Sequence, residues 1–209
     1  MYALTVDEPY PLVCFDERPC FLIGDVVEGL APAKGQIAKE HYSYSKHGSC
    51  VVMGAVAPHL GQRLMGVYEQ RTKKEYTDFM QKIAGWYPKA VKIRLVQDNL
   101  NTHSVNAFYA CLPAAEAAAL AARFEFYYTP KCGSWLNMIE LEFSALSRQC
   151  LNRRIPTQTE LEKEVLAWVA DRNQAGVKIK WQFTVEQCRE TMNKQYVKVN
   201  PLNKKYEKT

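Results

Sequence analysis

The chain has 209 residues, is 47% hydrophobic, and carries a net charge of +5 from 27 basic and 22 acidic residues. That size and apolar content suit a buried core in one domain and argue against a disordered or fibrous chain. The mild basicity is compatible with nucleic acid without pointing to it. Seven cysteines, with no C-x-x-C pair among them, argue against a disulfide framework or a zinc ribbon and fit reduced thiols.

In chain order the first half reads as strands: LVCFD (12–16), CFLIG (20–24), CVVMGAVA (50–57) and QRLMGVYEQ (62–70), with residues 25–48 as a long surface loop. The period then changes. Tyr76, Phe79, Met80, Ile83 and Ala84 mark one face of a helix, and Thr72 with Glu75 forms a capping box before it. VKIRLVQ (91–97) is the next strand, followed by helical segments at 104–111 and 113–123 and a short strand FEFYY (124–128). The spacing predicts a long helix from about Trp135 to Leu151, with Ser134 as N-cap. Thr157 and Glu160 cap a helix over 158–173, and Thr184 and Gln187 cap a last one to about Tyr196. The remainder, VKVNPLNKKYEKT, is a basic tail. A meander followed by alternating strands and helices predicts a mixed sheet with helices on its faces.

No apolar run approaches the about 20 residues that span a bilayer, and the N-terminus has no charged segment leading into an apolar one. A soluble, cytoplasmic chain without a membrane partner is the expectation.

Three carboxylates fall where a site would be built. Asp16 ends the first strand in VCFDERP, Asp98 ends the strand in LVQDNLNTH, and Glu140 lies in the helix after the loop TPKCGS. Ligand sites in open sheets gather at the carboxyl ends of strands. Clustered carboxylates raise one another's pKa and persist where a divalent cation neutralises them. All-oxygen donors suit magnesium or manganese, and two such ions about 4 Å apart can hold both oxygens of an in-line phosphoryl displacement. Each acid also has an ordinary reading: Asp16 as a strand exit paired with Arg18, Asp98 as a turn residue, Glu140 as a solvated helix position. Glu142 rivals Glu140, since the two point roughly 160° apart on a helix and only one can reach the site. The residues alone leave that choice open, at metal-dependent phosphoryl transfer as one reading.

The motifs CFDERP, EQRTKKEYTDF, LVQDNLNTHS and FYYTPKCGSWLNMIELEFSALSRQCLNRRIP, in that order, closely resemble those of bacterial insertion-sequence transposases of the mariner superfamily, from about Pro11 to Phe183. The resemblance implies a ribonuclease-H-like α/β fold, a mixed sheet of about five strands flanked by α-helices, with a catalytic domain over 1–196 and a tail over 197–209. It implies an acidic triad at Asp16, Asp98 and Glu140, favouring Glu140 over Glu142, that holds two Mg²⁺ ions, with Mn²⁺ able to substitute. The implied reaction is DNA strand cleavage at the element's ends and attack of the freed 3′-hydroxyl on target DNA, commonly at TA. Asn99 and His103 match positions beside the second acid, with hydrogen-bonding or phosphate-orienting roles and His103 disfavoured as a metal ligand. Lys131, Trp135, Arg148, Arg153 and Arg154 are candidate contacts to the DNA backbone, which give affinity without sequence information.

The chain departs from the family in two ways. The interval from Asp98 to Glu140 is longer than in many relatives, the Ala-rich helix 113–123 accounting for the excess. Relatives also carry helix-turn-helix modules before the catalytic domain, whereas this sequence begins a few residues before its first strand. A split element with an N-terminal partner reading frame, a truncated gene and an excised domain are all consistent with that. A homodimer fits a reaction that joins two ends. The competing expectation is a catalytically silent fragment that binds DNA or regulates a full-length transposase. A haloacid-dehalogenase reading of LVCFDE is discarded, because Arg18 stands where that chemistry needs a second Asp.

Overall fold

The structure is a computed structural model that describes residues 2, 6–37, 39, 41–131 and 133–199, with side chains to 194. A five-stranded sheet forms its centre, in the order β3-β2-β1-β4-β5. Strands β1 (Leu12–Asp25), β2 (Tyr44–Ala57) and β3 (Gln62–Tyr68) make an antiparallel meander. Strands β4 (Ile93–Gln97) and β5 (Phe124–Tyr128) then run parallel to β1. The mixed sheet flanked by helices matches the expected ribonuclease-H-like class.

Alternation along the strands sorts residues between two faces. Val13, Phe15, Met53, Ala55, Ile93 and Leu95 pack under three helices: α1 (Lys73–Trp86), α2 (Val105–Cys111) and α3 (Ala114–Ala122). The apolar stripe read from the sequence is this contact, with Tyr76, Phe79, Met80 and Ile83 fully buried. The opposite face receives α4 (Ile139–Gln149) and α5 (Gln158–Gln174). There Gly54 lets α4 come close: a Cβ on Gly54 would lie 2.9 Å from the Phe143 ring.

Three expectations need correction. The two short strands expected at 12–16 and 20–24 are one strand of fourteen residues, paired with β2 through Glu17, Arg18 and Pro19. Proline is tolerated at 19 because β4 pairs β1 only as far as Cys14, so one side of β1 is free there. Strand β2 starts at Tyr44, which shortens the expected loop. The helix expected from Trp135 begins as a 3₁₀ turn over Ser134–Leu136, breaks at extended Asn137, and restarts as α4 at Ile139. Asn137 leaves the helix because its side-chain amide donates to the Phe15 carbonyl oxygen (2.8 Å), a group that β4 does not reach.

The capping boxes at Thr72–Glu75 and Thr184–Gln187 are formed, and Thr157 caps α5 through the Glu160 N–H. The chain divides into compact units over 1–179 and 180–209; the second contains α6 (Val185–Val199). Most of the expected tail, from residue 200 on, lies outside the described residues. Among the described residues no helix is long and apolar enough to cross a membrane.

Candidate active site

Period-2 geometry brings the first two acids together. Cys14 of β1 pairs with Val96 of β4; Asp16 and Asp98 lie two residues further along each strand, at the carboxyl end of β4. Opposite Asp16 on β2 is Gly54, over which α4 packs, and α4 carries Glu140 in its first turn. Asp16 is buried, Asp98 half-buried and Glu140 exposed. Burial first, then repulsion from Glu17, Asp98 and Glu140, pushes the Asp16 carboxyl up to about 7, against the Glu17 N–H that donates to it at 2.8 Å. The three acids named from the sequence are thus close enough that two of them destabilise charge on the third.

Asp98 has the opposite environment. Its Oδ1 accepts from His103 Nδ1 at 2.5 Å and from the Leu100 N–H at 3.2 Å. The histidine bond holds this carboxyl below its usual range. The loop DNLNTH doubles back to make that contact, with the His103 N–H donating to the Leu100 carbonyl oxygen at 2.8 Å. His103 is buried beneath the sheet end, stacked on Tyr76 at 4.9 Å between ring centroids. Its Nε2 lies 2.9 Å from Glu17 Oε2, an ion pair by distance that is not aligned as a hydrogen bond. Burial works against charging this ring, yet Asp98 and Glu17 together carry its pKa up to about 9. Both ring nitrogens are turned to carboxylates, an arrangement that favours the imidazolium form. Asn99 is exposed in the same loop.

Glu142 is turned away and committed elsewhere. Arg63 of β3 grips it with Nε–Oε2 at 2.7 Å and Nη2–Oε1 at 2.9 Å, and Arg172 of α5 adds bonds of 3.1 and 3.2 Å. Burial raises its pKa, but the two guanidiniums outweigh that and hold it below the usual range. Arg18, expected beside Asp16, donates to the Phe143 carbonyl oxygen at 3.4 Å.

The basic candidates do not form one group. Arg154 donates to Asp25 (2.5 Å) and to the carbonyl oxygens of Ser43 and His41 (3.1 and 2.6 Å), which makes it a brace for the β1–β2 connection. Arg153 pairs with Glu164. It shares a polar cleft of about 440 Å³ with Arg148, whose Nε bonds the Ser144 carbonyl oxygen at 3.3 Å. Lys131 is exposed and Trp135 half-buried.

Sequence reasoning missed Glu17, Arg71 and Asn137. The alternation of Val13, Phe15 and Glu17 was the available signal for Glu17: it puts a carboxylate on the apolar face under the site. Asn137 left no periodic signal, because its role is a single side-chain bond to a distant backbone.

A divalent cation fits the donors in kind: oxygen ligands only, with a buried carboxyl raised by its neighbours. Asn137 adds a buried Oδ1 without a partner. Among the described residues no three His, Cys, Asp or Glu side chains converge closely enough to hold an ion as they stand.

A family model described as DDE superfamily endonuclease matches residues 11–162. No curated protein matches the chain by sequence. Two solved structures share the fold with a TM-score of 0.54 and 12% identity. One is the Mos1 transposase paired-end complex with left transposon end, over 81% of this chain and 52% of that one. The other is the Mos1 mariner paired end complex with Mn, over 79% and 51%. The chain spans about half the length of these structures. The family match bears out the expected DDE family, and the two structures share the expected fold. The chain belongs to the DDE superfamily endonucleases.

Proposed function

We propose that this chain is the catalytic domain of a transposase that cleaves DNA strands at the ends of an insertion sequence and joins them to target DNA by metal-dependent phosphoryl transfer. The observation that carries the reading is the placing of Asp16 in the sheet, opposite Gly54 under α4, where burial first and then Glu17, Asp98 and Glu140 push its carboxyl up to about 7. A group so placed is costly without a compensating positive charge. Asp16, Asp98 and Glu140 would hold Mg²⁺ or Mn²⁺, two ions in all, with water and substrate phosphates completing the shell. The chemistry supplied by the bound ions is charge neutralisation on the phosphate and activation of water.

The chain's own residues do the rest. β1 holds Asp16 within the sheet, and Asp98 follows the last residue of β4 on the neighbouring strand. His103 keeps Asp98 ionised and fixes one of its oxygens. Glu140, exposed on the first turn of α4, is free to meet the substrate side of the site. Exposed Lys131 and Arg148 lie open to backbone phosphates, whereas Arg154 has a structural role. DNA ends and a TA target are the substrates of this reading, a homodimer and an N-terminal partner its assembly, and the bacterial cytoplasm its location.

The test is nicking of supercoiled plasmid by the purified chain with Mg²⁺ or Mn²⁺, beside Asp98→Asn. Metal-dependent nicking by the wild type that Asp98→Asn abolishes is the expected result; equal nicking by both would remove the assignment. A second reading, a silent DNA-binding fragment, is favoured by the lack of three converged donors among the described residues. It predicts salt-dependent DNA binding with no metal-dependent nicking.

A further inference from the structure

Glu17 is a carboxylate where an apolar residue would be expected. It follows Asp16 on β1, so alternation sends its side chain to the face occupied by Phe15, Tyr76 and Phe79, and it is only 4% exposed. Burying a carboxylate there is expensive unless its partners repay the lost hydration. Its partners are His103 Nε2 at 2.9 Å and Arg71 Nη1 at 3.7 Å.

The ring between Glu17 and Asp98 has little freedom. Tyr76 stacks on it at 4.9 Å and Phe15 meets it edge-on at 5.3 Å. The His103 backbone is held as well: its carbonyl oxygen accepts from Gln97 Nε2 at 3.0 Å, and Gln97 Oε1 accepts from the Tyr76 hydroxyl at 2.9 Å. With one nitrogen on Glu17 and the other on Asp98, the ring has no lone pair directed at a metal or at a phosphate. What it can do is transmit the position of Glu17 to Asp98 Oδ1.

We propose that Glu17 is a positioning residue, which acts through His103 to fix the Asp98 carboxylate so that Oδ1 is held by the ring and Oδ2 is left for a cation. This rests on the phosphoryl-transfer reading and deepens it. Partners that orient a ligand in this way typically change metal affinity or activity about 10–100-fold when removed.

The experiment compares the full chain with Glu17→Leu, which keeps volume but removes the polar end, and Glu17→Gln, which keeps the side chain's shape and a neutral oxygen beside Nε2. Thermal midpoints establish folding, and Glu17→Ala replaces the leucine variant if that one does not fold. Two quantities are read: the Mg²⁺ concentration for half-maximal plasmid nicking, and the His103 ring N–H resonances during Mg²⁺ titration. Glu17→Leu is expected to raise the Mg²⁺ requirement about 10–100-fold, with a much smaller fall in rate at saturating Mn²⁺, and Glu17→Gln to recover most of the loss. The metal-induced shift of the Nδ1–H resonance should disappear in Glu17→Leu and persist in Glu17→Gln. An unchanged metal requirement in Glu17→Leu overturns the proposal, as does an equal loss in both variants at every metal concentration. A wild-type chain that does not nick DNA sinks the functional reading; the resonance shift then decides the positioning role separately, its persistence in Glu17→Leu overturning it.

Discussion

Two positions on α4 separate Glu140 from Glu142, and roughly 160° of rotation puts one at the sheet's open end and the other among arginines. Arg63 is buried, and besides Glu142 it donates to the carbonyl oxygens of Gly61 (2.7 Å) and Val177. Removing one partner from such a pair strands the other charge, so Glu142→Ala should cost about 3–5 kcal/mol in urea unfolding. Glu140→Gln, at an exposed position, should stay within about 0.5 kcal/mol of wild type and still lose nicking. The depressed carboxyl of Glu142 also sets a pH dependence. Its stabilisation is complete above the ordinary carboxyl range, about 4.3, and is lost as pH falls through the lower native value. Thermal midpoints between pH 3 and 7 should therefore fall less steeply with acid in Glu142→Gln than in wild type. An unchanged acid limb would assign the effect to other carboxylates.

At the scale of elements, α4 reaches the site because β2 has no side chain at Gly54. A Cβ there would be 2.9 Å from the Phe143 ring and 3.5 Å from Ile139, and both side chains are buried. Gly54→Ala should cost about 1–3 kcal/mol by overpacking and, by pushing α4 outward, raise the Mg²⁺ requirement for nicking. A stable variant with a wild-type requirement would show that α4 tolerates the shift. The strand and helix periods were legible in the sequence because burial enforces them: the α1 stripe and the caps at Thr72, Thr157 and Thr184 stand where they were read, whereas Ser134, expected as an N-cap, is the first residue of the 3₁₀ turn. The break at Asn137 was not legible, since Trp135, Ile139 and Phe143 keep a helical spacing across it and only the unpaired Phe15 carbonyl explains it. The continuity of β1 through Pro19 was hidden in the same way, as it depends on where β4 stops. Of the candidate site, Asp98 could be read from a strand end, whereas Asp16, expected to end the first strand, lies within β1, which runs on to Asp25. The residues alone left Glu140 and Glu142 open and only the resemblance favoured Glu140; the partners of Glu142, Arg63 on β3 and Arg172 on α5, are far away in sequence.

Over the whole molecule, charge and fold are divided unequally. Residues 180–209 hold seven basic and three acidic residues, so +4 of the chain's +5 lies there, while the unit over 1–179 is close to neutral. The earlier unit contains the sheet, the carboxylates and the Arg63–Glu142–Arg172 cluster, and its last residues are tied in: the Gly61 turn lies against Gly176, and the Ile179 N–H donates to the Pro58 carbonyl oxygen at 3.3 Å. A chain ending at 179 should therefore keep its thermal midpoint within a few degrees, about what less than 1 kcal/mol would shift in a domain of this size. Its DNA affinity should fall much more. Each DNA phosphate that is no longer neutralised lowers the slope of log affinity against log salt by about 0.9, so removing several of the seven cations should flatten that slope by several units. Fluorescence anisotropy on a short duplex at 50–200 mM salt measures it. A flattened slope with metal-dependent nicking retained at low salt would place general DNA affinity in 180–209 and chemistry in 1–179. An unchanged slope would move phosphate binding onto the unit over 1–179, to Lys131 and Arg148.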